Sequence, residues 1–173
     1  FYWPNEHWAW QVCWTLVTAY VFLCWTSCFH EASHQTICGS RAFSVWVGRV
    51  IGTFIFVPYS VYRESHIRHH AYLNKPNDWE LWPYADPSKS LWFRRLFCWL
   101  EIPFGVITTP FAYGRLYFHP KSPLTNAKVR REIGWEYVGM LVTWSLLLGI
   151  ITATQTWEPF IRAYLIPHYV AGL

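Results

Sequence analysis

The stretch WAWQVCWTLVTAYVFLCWTSCF, Trp8 to Phe29, runs for 22 residues without a formal charge and ends directly on His30-Glu31-Ala32-Ser33-His34. At 1.5 Å per residue a helix of that length measures about 33 Å, the thickness of a bilayer's hydrocarbon core. It reads as a membrane-spanning helix whose last turn carries two histidines to the interface. Tyr137 to Trp157 is a second uncharged run, 21 residues long between Glu136 and Glu158, and reads as another span. A third apolar run from Pro159 to Leu173 is expected to begin a returning span. The expected fold class is all-α, an integral-membrane helical bundle with interfacial helices.

Composition agrees with that class. The 173 residues suffice for one domain, 21% of them are Phe, Trp or Tyr, and only 14% are charged, about half the share usual in soluble domains. The chain begins at Phe1, its one methionine is Met140, and it stops within an apolar run, so it is read as a single membrane domain, 1–173, truncated at both ends. Two further apolar segments, about 42–62 and 91–114, carry Arg49 in the first and Arg94, Arg95 and Glu101 in the second. Charges within a span cost a few kcal/mol each on insertion scales, so both segments are expected to lie along the interface or to re-enter the bilayer.

Of the 14 lysines and arginines, 13 fall between Arg41 and Arg131. Positively charged connections stay on the cytoplasmic side, which puts His30 to Glu132 on that face. A net charge of +4 without a basic stripe on a polar background argues against nucleic acid as a partner. The five cysteines form no Cys-x-x-Cys pair and are expected to be free, buried thiols.

Chemistry is concentrated in two clusters, His30-Glu31-Ala32-Ser33-His34 and His66-Ile67-Arg68-His69-His70. Residues four apart on a helix share a face, so His30 and His34 point together. His66, His69 and His70 fall within an arc of roughly 100°. Neutral imidazole is a good ligand for iron, zinc or copper. A lone histidine at a membrane surface is more often an interfacial residue with one hydrogen bond, but five in two clusters indicate a metal site. The first cluster also fits His-Glu-x-x-His, the zinc-protease pattern in which Glu31 would serve as general base. A protease has no use for the second cluster, however. A metal transporter would place polar ligands within the spans, and Trp8–Phe29 and Tyr137–Trp157 hold none.

The pair His-x-x-x-His and His-x-x-His-His, each following an apolar helix, resembles the membrane fatty-acid desaturase and hydroxylase superfamily. Gly48-Arg49, Gly52, Pro58, Tyr59, Arg63 and Ser65 between the boxes, and Asn74 and Asp78 after them, carry the same likeness, which is good from Trp8 to Pro87 and holds in outline beyond. The resemblance implies a four-span oxidoreductase whose boxes bind two iron ions on the cytoplasmic side. With O₂ as co-substrate and electrons from a donor such as cytochrome b5 or ferredoxin, it implies oxidation of a fatty acyl chain, acyl-lipid or acyl-CoA, to a cis alkene within membrane lipid. Carried over residue by residue, the ligands and catalytic residues are His30, His34, His66, His69 and His70. A third His-x-x-His-His box would follow the fourth span, beyond Leu173. A hydroxylase or ketolase acting on a carotenoid, sterol or alkane is the related alternative.

Glu31 and Asp78 are candidates for holding the second ring nitrogen of a ligand histidine. Arg63 and Arg68 read as snorkelling residues at headgroup level. Glu101 stands out as a carboxylate within an apolar run. His119 and His168 belong to neither box. The tryptophans at 79, 82, 92, 99, 135 and 144 read as interfacial belts or packing.

Overall fold

The computed structural model describes residues 7–73 and 75–172; Asn74, one of the positions that carry the family likeness, lies outside the described residues. Among these residues every regular element is helical. The order is α1 (Trp8–His34), a 3₁₀ turn (Ile37–Gly39), α2 (Arg41–Phe54), α3 (Tyr59–Tyr72), α4 (Leu91–Phe118), α5 (Ala127–Thr154), α6 (Trp157–Phe160), a π-turn (Ile161–Leu165) and α7 (Ile166–Ala171). By length and apolar composition Trp8–Gly39, Leu91–Phe118 and Ala127–Thr154 are able to cross a membrane; α2 and α3 count as a fourth crossing only if that pair, bent by 107°, is one span. The protein is a helical membrane protein.

α1 continues past Phe29 for more than a turn, so the first box is helical. Gln35, in the left-handed conformation, then stops the helix and donates its N–H to Ala32. Ser40, Ser90 and Asn126 cap α2, α4 and α5 by accepting backbone N–H groups of the first turn, the role in which short polar side chains outcompete water.

The turn from α2 into α3 sets the second box against the first. A Cβ on Gly48 would stand 2.2 Å from the Tyr59 ring, and one on Gly52 would stand 2.4 Å from the Val57 carbonyl. Only glycine lets α2 and the start of α3 approach so closely. Tyr59 then donates its hydroxyl to Ala32 O at 2.9 Å, beside the first box. Phe29, Ala32, Ile51, Val57 and Tyr59 form the core around this junction. A second core of Val61, Leu116, Leu124 and Ile133 joins α3 to α4 and α5. Glu136 of α5 accepts from Ser60 N (2.8 Å), Ser60 Oγ (2.7 Å) and Arg49 Nε (2.9 Å), supplying the cap that Pro58 cannot give α3.

α4 is not straight. Its backbone breaks helical geometry at Phe104, one residue after Pro103. Trp82 touches both arms, lying 5.3 Å from the Phe97 ring and 4.3 Å from the Arg115 guanidinium. On a straight helix those 18 residues would span about 27 Å. The bend, which proline produces by removing a backbone donor, folds both arms towards the loop that follows the second box.

The cysteines are free as expected, but not buried. Cys13, Cys28 and Cys98 are exposed and Cys24 is half-buried, because the apolar faces of their helices meet their surroundings rather than a protein core, and Cys38 is exposed in the turn between α1 and α2. Leu141, Phe111 and Ile107 are likewise exposed, as lipid-facing side chains are.

Candidate metal centre

Both boxes lie on helix ends fixed by the α1–α2–α3 junction, and their rings meet. Donor atoms of His30, His34, His66 and His70 all lie within 4.8 Å of one another. Ring centroids are 4.7 Å apart for His30 and His34 and 4.6 Å for His66 and His70. Across the two helices they are 4.7 Å for His30 and His66 and 5.1 Å for His34 and His70. The i,i+4 spacing thus works within each box, and the Tyr59 junction works between them. His66 is buried, at 6% exposure, and touches each of the other three rings.

The donor set fits a metal. Four imidazoles without a thiolate suit borderline ions such as iron, zinc or copper. The Nε2 atoms of His66 and His70 are 3.0 Å apart, and two ligands at right angles on one ion with bonds of about 2.1 Å stand at that separation. His30, His34, His66 and His70 would therefore be able to hold one ion, or to share two.

His69 stands beside this group rather than within it, 5.9 and 6.0 Å by ring centroid from His66 and His70. Its Nδ1–H donates to Asp78 Oδ2 at 2.9 Å, and the Asp78 carboxylate is fully buried. Asp78 also accepts Leu81 N, which orders the loop under the box. With the Nδ1 proton held by this partner, Nε2 of His69 is the nitrogen left to coordinate.

Glu80 does the same for His66 and escaped the sequence reading. Its Oε1 accepts from His66 Nδ1 at 3.2 Å and from the Tyr113 hydroxyl at 3.0 Å, while Oε2 is buried without a partner. Burial pushes the Glu80 carboxyl above its usual range, and the hydrogen bond from Tyr113 pulls it part of the way back. Its one sequence signal was its place two residues after Asp78 in the same loop. Glu31 is different. It faces outward, 57% exposed, between His30 Nδ1 at 3.2 Å and Thr36 Oγ1 at 3.0 Å.

The other singled-out residues lie apart from the cluster. Arg68 does not snorkel; it donates to Pro123 O at 3.0 Å and ties α3 to the α4–α5 loop. Arg63 pairs with Glu64, and Glu101 accepts the Tyr84 hydroxyl. His119 meets Trp79 edge-on. His168 stacks on Tyr164 and meets Phe22 edge-on.

Comparison with known proteins bears on the same residues. The chain is 26% identical over 177 residues to a Delta(12) acyl-lipid conjugase (11E,13E-forming) of Momordica charantia, covering 92% of this chain and 44% of that one. It is 26% identical to a Delta(12)-fatty-acid desaturase of Vernicia fordii, over 83% of this chain and 42% of the relative. An sn-1 acyl-lipid omega-3 desaturase (ferredoxin) of Synechocystis is 25% identical, over 82% and 41%. The chain thus spans less than half the length of these curated relatives. No solved structure matches. The profile of the family described as fatty acid desaturase matches residues 7–173, a range that takes in both histidine boxes, the glycine-dependent turn between them and the carboxylate loop, and the chain belongs to that family.

Proposed function

We propose that the protein takes part in O₂-dependent desaturation of a fatty acyl chain, with His30, His34, His66, His69 and His70 holding part of a diiron centre at the cytoplasmic face. The observation that carries this reading is the convergence of two separate boxes on one set of imidazole donors within 4.8 Å. A saturated acyl chain offers neither an acidic proton nor an electrophile, so the cofactor must supply the hard step. When bound, the iron pair supplies the capacity to activate O₂ and oxidise an unactivated methylene.

The chain's own residues position and protect. Asp78 and Glu80 hold the Nδ1 protons of His69 and His66, so that the opposite nitrogen of each ring would be the one to hold a metal. Tyr62 lies parallel on His66 at 5.2 Å and shields its ring from water. His30 and His34 stand at the end of the apolar helix α1, which supports delivery of the acyl chain from the bilayer. The ferredoxin in the name of the Synechocystis relative supports a small electron-transfer protein as donor, ferredoxin or cytochrome b5. The 13 basic residues between Arg41 and Arg131 support a cytoplasmic location for that encounter.

The test is metal and product analysis on the full-length protein. Purified protein is expected to hold about two irons per chain. Lipids of cells carrying the gene are expected to gain a double bond that disappears with His66→Ala. One zinc per chain and no unsaturated product would overturn the reading.

A further inference from the structure

On the side of loop 75–90 away from the histidine cluster, Arg115 of α4 lies between the indoles of Trp79 and Trp82, its guanidinium carbon 4.6 and 4.3 Å from the ring centres. The stack satisfies the faces of the guanidinium and leaves its edge for hydrogen bonding. Nε is buried and has no partner, so an acceptor entering from outside would meet the guanidinium at its Nη edge.

Arg115 forms part of the wall of a cavity of about 490 Å³ together with Ser88, Lys89, His119 and Lys121, bounded on the box side by Asp78 and Trp79. Two carboxylates share this wall. Asp78 is engaged by His69, and Asp86 accepts the N–H and hydroxyl of Ser88 within the field of Lys89 and Arg115, so that three cations against two carboxylates leave one positive charge in excess. Phe111, Arg115 and His119 also line an adjoining trough of about 780 Å³ between α4 and α5, whose other walls include Phe56, Phe118, Leu141 and Trp144. From Pro110 to Phe118 the trough follows eight residues of helix, about 12 Å, running from the apolar depth of α4 towards its polar end. A basic chamber at the end of an apolar trough has the polarity of one molecule with a charged head and an acyl tail.

We propose that chamber and trough form one site for an anionic phospholipid, its phosphate on the Nη edge of Arg115 with Lys89 and Lys121 around it, and one acyl chain laid between α4 and α5. Basic pockets between membrane helices take anionic headgroups in this way, and guanidinium–phosphate hydrogen bonds are among the strong ones. The headgroup meets the Asp78–Trp79 segment that holds His69, so the bound lipid braces the second box from outside. The site requires only that the chain is embedded in a membrane and is independent of the reaction at the histidines.

The full-length protein in detergent, titrated with phosphatidylglycerol or phosphatidylcholine and read by native mass spectrometry, tests this. One phosphatidylglycerol per chain is expected, held at least tenfold more tightly than phosphatidylcholine. A basic residue beside an anionic headgroup contributes about fivefold. The double variant Lys89→Gln/Lys121→Gln is therefore expected to lose roughly 25-fold in phosphatidylglycerol affinity, with its Tm in phosphatidylcholine unchanged. Leu141→Trp, which fills the trough and leaves the cations in place, is expected to weaken phosphatidylglycerol as well. Equal retention of the two lipids, an unaltered preference in the lysine variant, or full reproduction of the effect by inorganic phosphate would overturn the proposal.

Discussion

The two histidine boxes are built on opposite plans. The first is a helix end: His30 and His34 project from the last turn of α1, and Glu31, the one acid beside them, is 57% exposed and shared with Thr36. The second is a packed unit. His66 is buried, its Nδ1 is held by Glu80, His69 is held by the fully buried Asp78, and Tyr113 anchors Glu80 from α4. Orientation in the first box comes from helical geometry, and orientation in the second from a loop folded under it. Metal affinity should therefore be more sensitive to the surroundings of the second box than to those of the first.

Removing His66 should produce the largest effect. It touches all three other donors, so His66→Ala is expected to abolish desaturated product and to take iron below half of the wild-type content, measured by elemental analysis. Asp78→Asn comes next. Loss of a carboxylate behind a ligand histidine typically lowers metal affinity or activity 10–100-fold, and competition with a chelator will read this directly. Glu80→Gln keeps an acceptor oxygen for His66 but loses the charge, and about a tenfold weakening, the lower end of that range, is expected. Tyr59→Phe attacks the link between the boxes rather than either box. It deletes the bond to Ala32 O and should lower stability by about 1 kcal/mol, seen as a lower Tm with iron content near that of wild type. Glu31→Gln should change affinity least, within about twofold, since an exposed charge pair contributes little. An effect of Glu31→Gln equal to that of Asp78→Asn would remove the distinction between the boxes.

Much of the site was legible along the chain. The uncharged runs announce helices of bilayer length, and four-residue spacing alone pairs His30 with His34 and His66 with His70. Asp78 was visible from its place after the second box. Glu80 was not, because a loop has no period from which a contact can be read. The hydrogen bond from Tyr113, 33 residues away, depends on how α4 packs against the loop. Arg68 was read as a snorkelling residue because nothing in its neighbourhood revealed that Pro123 O would lie within reach.

The sequence by itself determined the helices, their apolar character and the two clusters of imidazoles, because these follow from local periodicity and from the cost of placing charge in lipid. The tertiary structure alone decided that the clusters face one another, that His69 stands beside the four rather than among them, and that a carboxylate loop supports the second box and not the first. Those outcomes rest on close approaches such as Tyr59 on Gly48 and on the fold of α4 at Phe104, where packing between segments distant in sequence selects one arrangement among many that the local pattern allows.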